Sequence, residues 1–313
     1  MLSFLMLIAG MALLMFAGDY LVRGSVGLAA RFEINPLIIG LTVVAFGTSA
    51  PELFVSLQAA WNGVSGIAIG NVVGSNIANV LLVLGAPALI AAIHCSERGI
   101  GASLAVMILL SVLLMAFMAT GTLSRGEGAI LLLVIIGYLA WQVRRAIKDP
   151  AHAAIGHEDD EDIVPPDSPR KIALFIILGL VGLPLGAWLT VSGASEIARM
   201  FGASETAIGL TVVAIGTSLP ELVTSVMAAW RKSGAVAIGN VVGSNIFNIG
   251  FILGLTSLVL PLHVDERVIH VDMWVMLGTS ALIVALSHWN RPIGKIGGIA
   301  MLAAFALYIV TVF

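Results

Sequence analysis

Charged residues are scarce in this 313-residue chain, where Asp, Glu, Lys and Arg together make up 11% of the residues. A soluble globular domain carries about 25%. Cysteine occurs once, at Cys95, which excludes an intrachain disulfide and a metal site built from several thiolates. The net charge of −3 gives no basic excess of the kind that attracts nucleic acid. These shortages exclude a disulfide-stapled secreted protein and give no sign of a nucleic-acid partner.

Apolar residues are abundant instead. They make up 59% of the chain, and its mean hydropathy is +1.06. A helix needs about 20 mostly apolar residues to span a bilayer, and such stretches occur throughout. Runs such as 130–136 lack the alternation typical of membrane β-strands. The first apolar run has neither a basic start nor a small-residue cleavage site, so we predict a retained helix rather than a signal peptide.

Ten membrane spans are predicted, five before and five after one polar segment. Their approximate limits are 2–28, 36–61, 66–93, 101–120, 126–144, 171–198, 205–230, 235–261, 271–288 and 293–312. The polar segment, 146–170, separates two halves, 1–145 and 171–313. It contains the acidic run HEDDED at 157–162. We interpret it as a solvated linker, with a weak regulatory cation site as the alternative.

The two halves contain a repeated segment. Residues 40–85 align without a gap to residues 209–254, at an offset of 169 and with 29 identities in 46 positions. The identities include polar residues and a carboxylate within apolar stretches. Five spans, an odd number, separate the two copies, so the second copy must be upside down in the membrane. We therefore predict an all-α integral membrane protein whose ten transmembrane helices form two inverted five-helix repeats, a layout of many secondary transporters.

Lys and Arg are unevenly divided between the two sides of the predicted membrane. Eleven fall in the loops on the side of the 146–170 linker and three on the other side. Cytoplasmic loops carry the excess of basic residues, so we predict a cytoplasmic linker and both termini outside.

Arg23 lies within the first span, four residues after Asp19, and we expect these two to pair with each other.

The first motif of the repeat is Gly-Thr-Ser-x-Pro-Glu. Proline interrupts a helix and frees a backbone carbonyl, and in hydrocarbon such groups need a partner. A bound cation is one such partner. An ionisable residue deep in a span is by default a functional candidate. The alternative is a purely structural role, with the Glu paired with a basic residue. The motif supplies hydroxyls and carboxylates from Thr48, Ser49, Glu52, Thr217, Ser218 and Glu221.

The second motif places Asn71, Ser75 and Asn79 at i, i+4 and i+8, hence on one helical face. Asn240, Ser244 and Asn248 repeat this spacing. Nearby glycines permit close helix contact. We interpret Asn71, Asn76, Asn240 and Asn245 as packing and interhelical hydrogen-bonding residues, and Ser75, Asn79, Ser244 and Asn248 as ligand candidates.

These donors are all oxygens, without thiol or imidazole. Such a set suits hard cations, and Ca²⁺ takes about 6–8 oxygens. Two carboxylates balance one Ca²⁺, and equally two Na⁺ or two protons. A site that is neutralised in alternative ways is physically suited to exchange.

The paired motifs GTSAPE…GNVVGSNIAN and GTSLPE…GNVVGSNIFN resemble the alpha repeats of the sodium/calcium exchanger family, prokaryotic type, within the calcium:cation antiporters. The resemblance implies alternating access, with Na⁺ or protons driving Ca²⁺ movement. By motif position it implies that Glu52 and Glu221 are central carboxylates shared by Ca²⁺ and Na⁺. The flanking ligands it implies are Thr48 and Thr217 with the carbonyls of Ala45 and Ala214. It further implies that sodium is bound by Ser49, Ser218, Ser75 and Ser244, and that the amides of Asn79 and Asn248 complete the middle of the site.

One residue departs from the family pattern, since some members carry Asp where this chain has Asn248. The departure bears on the number of Na⁺ per Ca²⁺ and on the driving ion. The leading prediction is a Ca²⁺/Na⁺ antiporter, with a Ca²⁺/H⁺ antiporter and then a passive cation channel as alternatives. We find no nucleophile matched to a base and no His-Glu-x-x-His, so we do not expect an enzyme.

The expected partners are the lipid bilayer and the transported ions, Ca²⁺ and Na⁺ or H⁺. No cofactor, nucleic acid or protein partner is implied. Because the central linker is short, we expect a prokaryotic inner (plasma) membrane.

Overall fold

Helices form nearly all the regular structure of this chain. The computed structural model describes residues 1–148, 166, 168–202 and 214–312. In the first half the helices are α1 (Leu2–Phe32), α2 (Pro36–Thr48), α3 (Ala50–Trp61), α4 (Ser65–Leu89), α5 (Ile100–Met118) and α6 (Arg125–Lys148). In the second half they are α7 (Pro169–Met200), α8 (Ala214–Thr217), α9 (Leu219–Trp230), α10 (Gly234–Val259), α11 (Val268–His288) and α12 (Lys295–Val312).

The extended structure in the described ranges is confined to loop ends. A two-residue strand β1 (Thr122–Leu123) pairs antiparallel with β2 (Leu262–His263), and Ile93 forms an isolated bridge with Ile293. These contacts tie loops of the first half to loops of the second.

The described helices agree with the predicted spans. Eight of them are long and apolar enough to cross a membrane, and the pair α2 and α3, bent by 42°, makes a ninth. Helices α8 and α9 form the described part of the predicted seventh span, 205–230, whose first residues lie outside the described ranges. The protein is thus an all-α integral membrane protein of ten transmembrane helices in two five-helix repeats. The third span ends earlier than predicted, at Leu89.

Backbone irregularities recur at the 169-residue offset of the repeat. The two long central helices, α4 and α10, each contain a π-helical turn, at Asn79–Val83 and Asn248–Leu253. Left-handed backbone conformations recur in the same way, at Glu33 and Gly202, Gly63 and Lys232, and Gly121 and Asn290. A positive φ is uncommon outside glycine, so these matched turns support a common chain path for the two halves.

Helices α1 and α7, counterparts in the two repeats, pack antiparallel. Gly10 lies against Thr190 near one end of the pair, and Gly27 lies against Ile172 near the other. A Cβ at Gly10 would lie 2.6 Å from the backbone nitrogen of Thr190, closer than any side chain tolerates. Small residues thus allow the two backbones to approach. Because the two counterparts run in opposite directions, the second repeat is inverted relative to the first.

Helix α10 is the most enclosed of the described membrane-length helices, with every residue from Ala235 to Phe247 buried. It crosses α2 at glycine contacts. A Cβ at Gly239 would lie 3.1 Å from the Cα atom of Gly40, and one at Gly243 would lie 2.7 Å from the carbonyl oxygen of Leu41. This close crossing places the second motif of one repeat beside the first motif of the other.

Asp19 on α1 has a stronger partner than its predicted one. Its Oδ1 accepts a hydrogen bond from Nε of Arg231, just past the end of α9, at 2.8 Å. The predicted contact with Arg23 is present at 3.8 Å, while Arg23 also lies over the ring of Phe175 on α7, 5.1 Å from its centroid. The ion pair with Arg231 joins the α1–α7 pair to the rest of the bundle.

We expect Asp19→Asn to lower the melting temperature of the detergent-solubilised protein by about 2–4 °C, because it removes a charge-assisted contact worth about 1 kcal/mol at a partly exposed site. Glu196→Gln is the matched control, since Glu196 forms an exposed pair with Arg199 within α7 at 2.7 Å. Differential scanning fluorimetry measures both. Equal melting temperatures for the two variants would contradict a structural role for the Asp19 pair.

Candidate cation-binding site

The site forms where the second and seventh spans break. Ser49 separates α2 from α3 with φ −80° and ψ 6°, and Ser218 separates α8 from α9 with φ −87° and ψ 5°. Pro51 and Pro220 fall in the first turn of the helix that follows each break, where a missing N–H costs nothing. Each break therefore sets a hydroxyl pair at the end of one helix and a glutamate at the start of the next.

The two glutamates are buried, each with 1% of its surface exposed. Glu221 Oε1 accepts a hydrogen bond from Oγ of Ser49 at 3.2 Å. The Oε2 atoms of Glu52 and Glu221 have no hydrogen-bond partner among the described residues. A buried carboxylate oxygen without a partner is costly, so each Oε2 is a strong candidate for a cation ligand.

Two asparagines support the glutamate turns. Asn71 Nδ2 donates to the backbone oxygen of Glu52 at 3.2 Å and to Oγ of Ser56 at 3.0 Å. In the other repeat, Asn240 Nδ2 donates to the backbone oxygen of Glu221 at 3.2 Å and to Ser225 Oγ at 3.1 Å. Asn71 and Asn240 therefore make the interhelical bonds expected from the sequence.

The threonine hydroxyls join the two repeats. Thr48 Oγ1 donates to Oδ1 of Asn240 at 3.1 Å, and its counterpart Thr217 donates to Oδ1 of Asn71 at 3.5 Å. Thr48 also lies 3.5 Å from the hydroxyl of Ser244 and 3.3 Å from the carbonyl oxygen of Ala45. The first motif of each repeat is thus held against the second motif of the other.

The serines depart from two-fold symmetry. Ser49 donates to the carboxylate of Glu221, whereas its counterpart Ser218 donates to Oγ of Ser75 at 3.5 Å. Both break serines are buried. The two carboxylates consequently have different hydroxyl neighbours, although their sequence surroundings are nearly identical.

Asn79 and Asn248 lie at the start of the π-helical turns and are almost fully buried. Each donates through Nδ2 at 3.0 Å, Asn79 to Oδ1 of Asn245 and Asn248 to Oδ1 of Asn76. Their own Oδ1 atoms have no hydrogen-bond partner within the part of the chain that the structure describes. Two amide oxygens thus join the two carboxylate oxygens as buried acceptors without a donor.

Of the two predicted carbonyl ligands, that of Ala45 already accepts hydrogen bonds. Its oxygen accepts the backbone N–H of Ser49 at 3.1 Å, as in a helix. Its second lone pair is shared with the Thr48 hydroxyl. Ala214 begins α8.

Sequence reasoning missed Ser56 and Ser225, whose hydroxyls accept hydrogen bonds from Asn71 and Asn240. It interpreted Asn76 and Asn245 as packing and interhelical hydrogen-bonding residues, and both accept such bonds, from Asn248 and Asn79. The available signal for the two serines was repetition, because they occupy matching positions at the same offset.

Taken together, the ten-helix inverted fold and a buried set of carboxylate, hydroxyl and amide oxygens define a multi-pass membrane transporter for hard cations. The chain belongs to the sodium/calcium exchanger protein family, whose profile matches residues 2–144 and 171–313. This family comprises cation antiporters that move calcium, not enzymes.

Individual relatives cover nearly the whole chain. The chain is 37% identical to the putative antiporter CaxA of Alkalimonas amylolytica, over 96% of this chain and 95% of that protein. It is 37% identical to the inner membrane protein YrbG of Escherichia coli, over 91% and 88%. Among solved structures, it is similar to the sodium-calcium exchanger NCX_Mj, with a TM-score of 0.85 and 34% identity over 100% of this chain and 99% of the other.

Proposed function

We propose that this chain exchanges Ca²⁺ for Na⁺ by alternating access at the buried site between the two repeats. The observation that carries the proposal is a set of four buried oxygens that have no donor among the described residues: Oε2 of Glu52, Oε2 of Glu221, Oδ1 of Asn79 and Oδ1 of Asn248. Together with the hydroxyls of Thr48, Thr217, Ser49, Ser218, Ser75 and Ser244 and the carbonyls of Ala45 and Ala214, they supply more than the 6–8 oxygens that Ca²⁺ takes.

Charge balance supports exchange at this site. Two carboxylates neutralise one Ca²⁺, and the same two neutralise a pair of Na⁺ ions. Both cations cannot occupy the carboxylates together without leaving a net positive charge in a medium of low dielectric constant. Competition for Glu52 and Glu221 would therefore couple the movement of one ion to that of the other.

The packing of α1 and α7 suggests the moving part. Their glycine interface makes them a close-packed antiparallel unit, and Gly18 on α1 lies against Val223 on α9. We propose that this pair slides as a unit against the bundle that holds the site, exposing the site to one side at a time. The ion pair of Asp19 with Arg231 would then have to rearrange during transport.

The bilayer is the expected partner, and we propose a prokaryotic inner membrane with the 146–170 linker in the cytoplasm and both termini outside. The charge asymmetry of the loops supports this orientation. We likewise propose that residues 1–145 and 171–313 are the two functional halves. The HEDDED run lies outside the described residues.

A Ca²⁺/H⁺ antiporter is the second candidate. The observation that favours it is the amide at Asn248, where an acid would have provided a third negative charge for a further Na⁺. Two protons on Glu52 and Glu221 would balance one Ca²⁺ as well as two Na⁺ do.

Calcium flux into proteoliposomes tests the proposal. Vesicles loaded with Na⁺ are diluted into Na⁺-free buffer with radioactive Ca²⁺, with and without a protonophore. We expect uptake that requires the outward Na⁺ gradient and survives the protonophore. Uptake driven only by an imposed pH gradient would replace Na⁺ with H⁺, and Ca²⁺ movement without any counter-ion gradient would indicate a channel.

A further inference from the structure

Two asparagine pairs cross between α4 and α10. Asn245 accepts from Asn79, and Asn76 accepts from Asn248, each with a nitrogen–oxygen distance of 3.0 Å. Replacing each residue by its counterpart 169 positions away converts one pair into the other. In each pair the accepting asparagine, Asn245 or Asn76, turns its oxygen toward the donating one. The oxygen of the donating asparagine then has no hydrogen-bond partner among the described residues.

A methionine lies behind each pair. Sδ of Met107 on α5 is 3.8 Å from Nδ2 of Asn245, and Sδ of Met276 on α11 is 3.7 Å from Nδ2 of Asn76. Both methionines are fully buried, with 0% exposure. They too are 169 positions apart in the sequence, although they lie outside the segments 40–85 and 209–254.

The chemistry of the thioether fixes the direction of each amide. A methionine sulfur has no proton to donate and accepts only weakly. The group of Asn245 that faces Met107 must therefore be its NH₂, which turns its oxygen toward Asn79. That oxygen in turn requires the NH₂ of Asn79, so the oxygen of Asn79 is the atom that remains available.

We propose that Met107 with Asn245, and Met276 with Asn76, are positioning residues that hold the amide oxygens of Asn79 and Asn248 available for the cation. The proposal rests on the proposed function, since it assigns these oxygens to the transported ion. Without the sulfur, the amide pair can flip as a unit and present NH₂ groups, which repel a cation.

The two arrangements, each a methionine that orients an asparagine pair and called a relay below, differ in how firmly they hold the amide. Asn76 Nδ2 has a second acceptor, the backbone oxygen of Asn245 at 3.4 Å. Asn245 Nδ2 has Met107 as its acceptor among the described residues. The orientation of Asn79 consequently depends more on Met107 than the orientation of Asn248 depends on Met276.

Methionine variants of the full-length protein test the relay. Met107→Leu keeps the volume and removes the acceptor, whereas Met107→Gln keeps the length and restores an acceptor through its amide oxygen. Met118→Leu, on the same helix and 1% exposed, is the control for burial. Calcium affinity is measured by equilibrium binding to purified protein, and melting temperature is measured without Ca²⁺ or Na⁺.

We expect Met107→Leu to weaken calcium binding about threefold to tenfold, the effect of one lost hydrogen bond, with Met276→Leu weaker in effect and Met118→Leu unchanged. Met107→Gln should bind calcium more tightly than Met107→Leu. A packing role predicts the reverse order, because a buried Gln disturbs an apolar site more than Leu does.

The outcomes separate the two proposals. Normal calcium binding by the unmodified chain and by Met107→Leu would overturn the relay and leave the transport proposal intact. Weaker binding by Met107→Gln than by Met107→Leu, accompanied by a lower melting temperature, would also overturn the relay. Absence of calcium binding in the unmodified chain would overturn the proposed function and the relay with it.

Discussion

Glu221→Gln and Glu52→Gln are each expected to reduce calcium exchange at least about 100-fold. Each removes one of the two buried carboxylates that, in the proposed exchange, balance the charge of Ca²⁺. Removing one partner of a buried charge pair costs about 3–5 kcal/mol, and about 2.8 kcal/mol already corresponds to a factor of 100 in affinity. Radioactive calcium uptake into Na⁺-loaded proteoliposomes measures the loss.

The same variants should leave the cation-free protein at least as stable as the original. Both carboxylates are buried, and burying an ionised carboxylate without a cation is unfavourable. Glutamine removes that cost while it keeps the shape. Glu196→Gln, an exposed glutamate, should retain full exchange. Exchange by Glu221→Gln within a few-fold of the original would show that the carboxylate is not a transport ligand.

Gly243→Val is expected to abolish transport by a different route, through the crossing of α2 and α10. A Cβ at Gly243 would lie 2.7 Å from both the Leu41 oxygen and the Ala45 Cβ, against the ordinary contact distance of 3.4–4 Å. The two helices would have to separate. Ala45 and the neighbouring Ser244 belong to the candidate site, and a 1 Å displacement of such groups can cost about 100-fold in activity.

Gly278→Val is the matched control for the Gly243 variant. Gly278 lies on α11, is exposed at the bundle surface, and has no described atom within 4 Å of the position of a Cβ. The control should transport within about twofold of the original and keep its melting temperature, whereas overpacking at Gly243 should lower stability by about 1–3 kcal/mol. Normal transport by Gly243→Val would mean that the close crossing does not set the site geometry.

Repetition made much of this molecule predictable from its sequence. Polar atoms preserved in two apolar segments identified Glu52 and Glu221 as candidates, and the odd number of intervening spans predicted the inversion that the antiparallel α1–α7 pair confirms. Hydrophobic length gave the spans, because a bilayer requires a nearly fixed number of apolar residues. These features depend on local sequence and on counting.

Contacts between distant helices were harder to predict. Arg23 stands four residues from Asp19, which favours a local pair, yet the closer partner is Arg231 from the other half of the chain. Which arginine lies closer to Asp19 depends on how α1 and α9 pack together. The hydropathy of a span does not specify how its helix is rotated about its axis. Likewise, Met107 and Met276 lie outside the repeated motifs and read as ordinary core residues.

The different hydroxyl partners of the two carboxylates could not be predicted from the sequence either. Ser49 and Ser218 occur in nearly identical motifs, yet one donates to a glutamate and the other to a serine. A repeat alignment treats the two positions as equivalent.

Competition between Na⁺ and Ca²⁺ for the purified protein is the most direct test of a single shared site. Equilibrium binding of radioactive Ca²⁺ is measured while NaCl replaces choline chloride at constant ionic strength. We predict about one bound Ca²⁺ per chain and its complete, cooperative displacement by Na⁺, reversed by added Ca²⁺. Calcium that stays bound at saturating Na⁺ would contradict the account, since the two ions would then occupy separate sites.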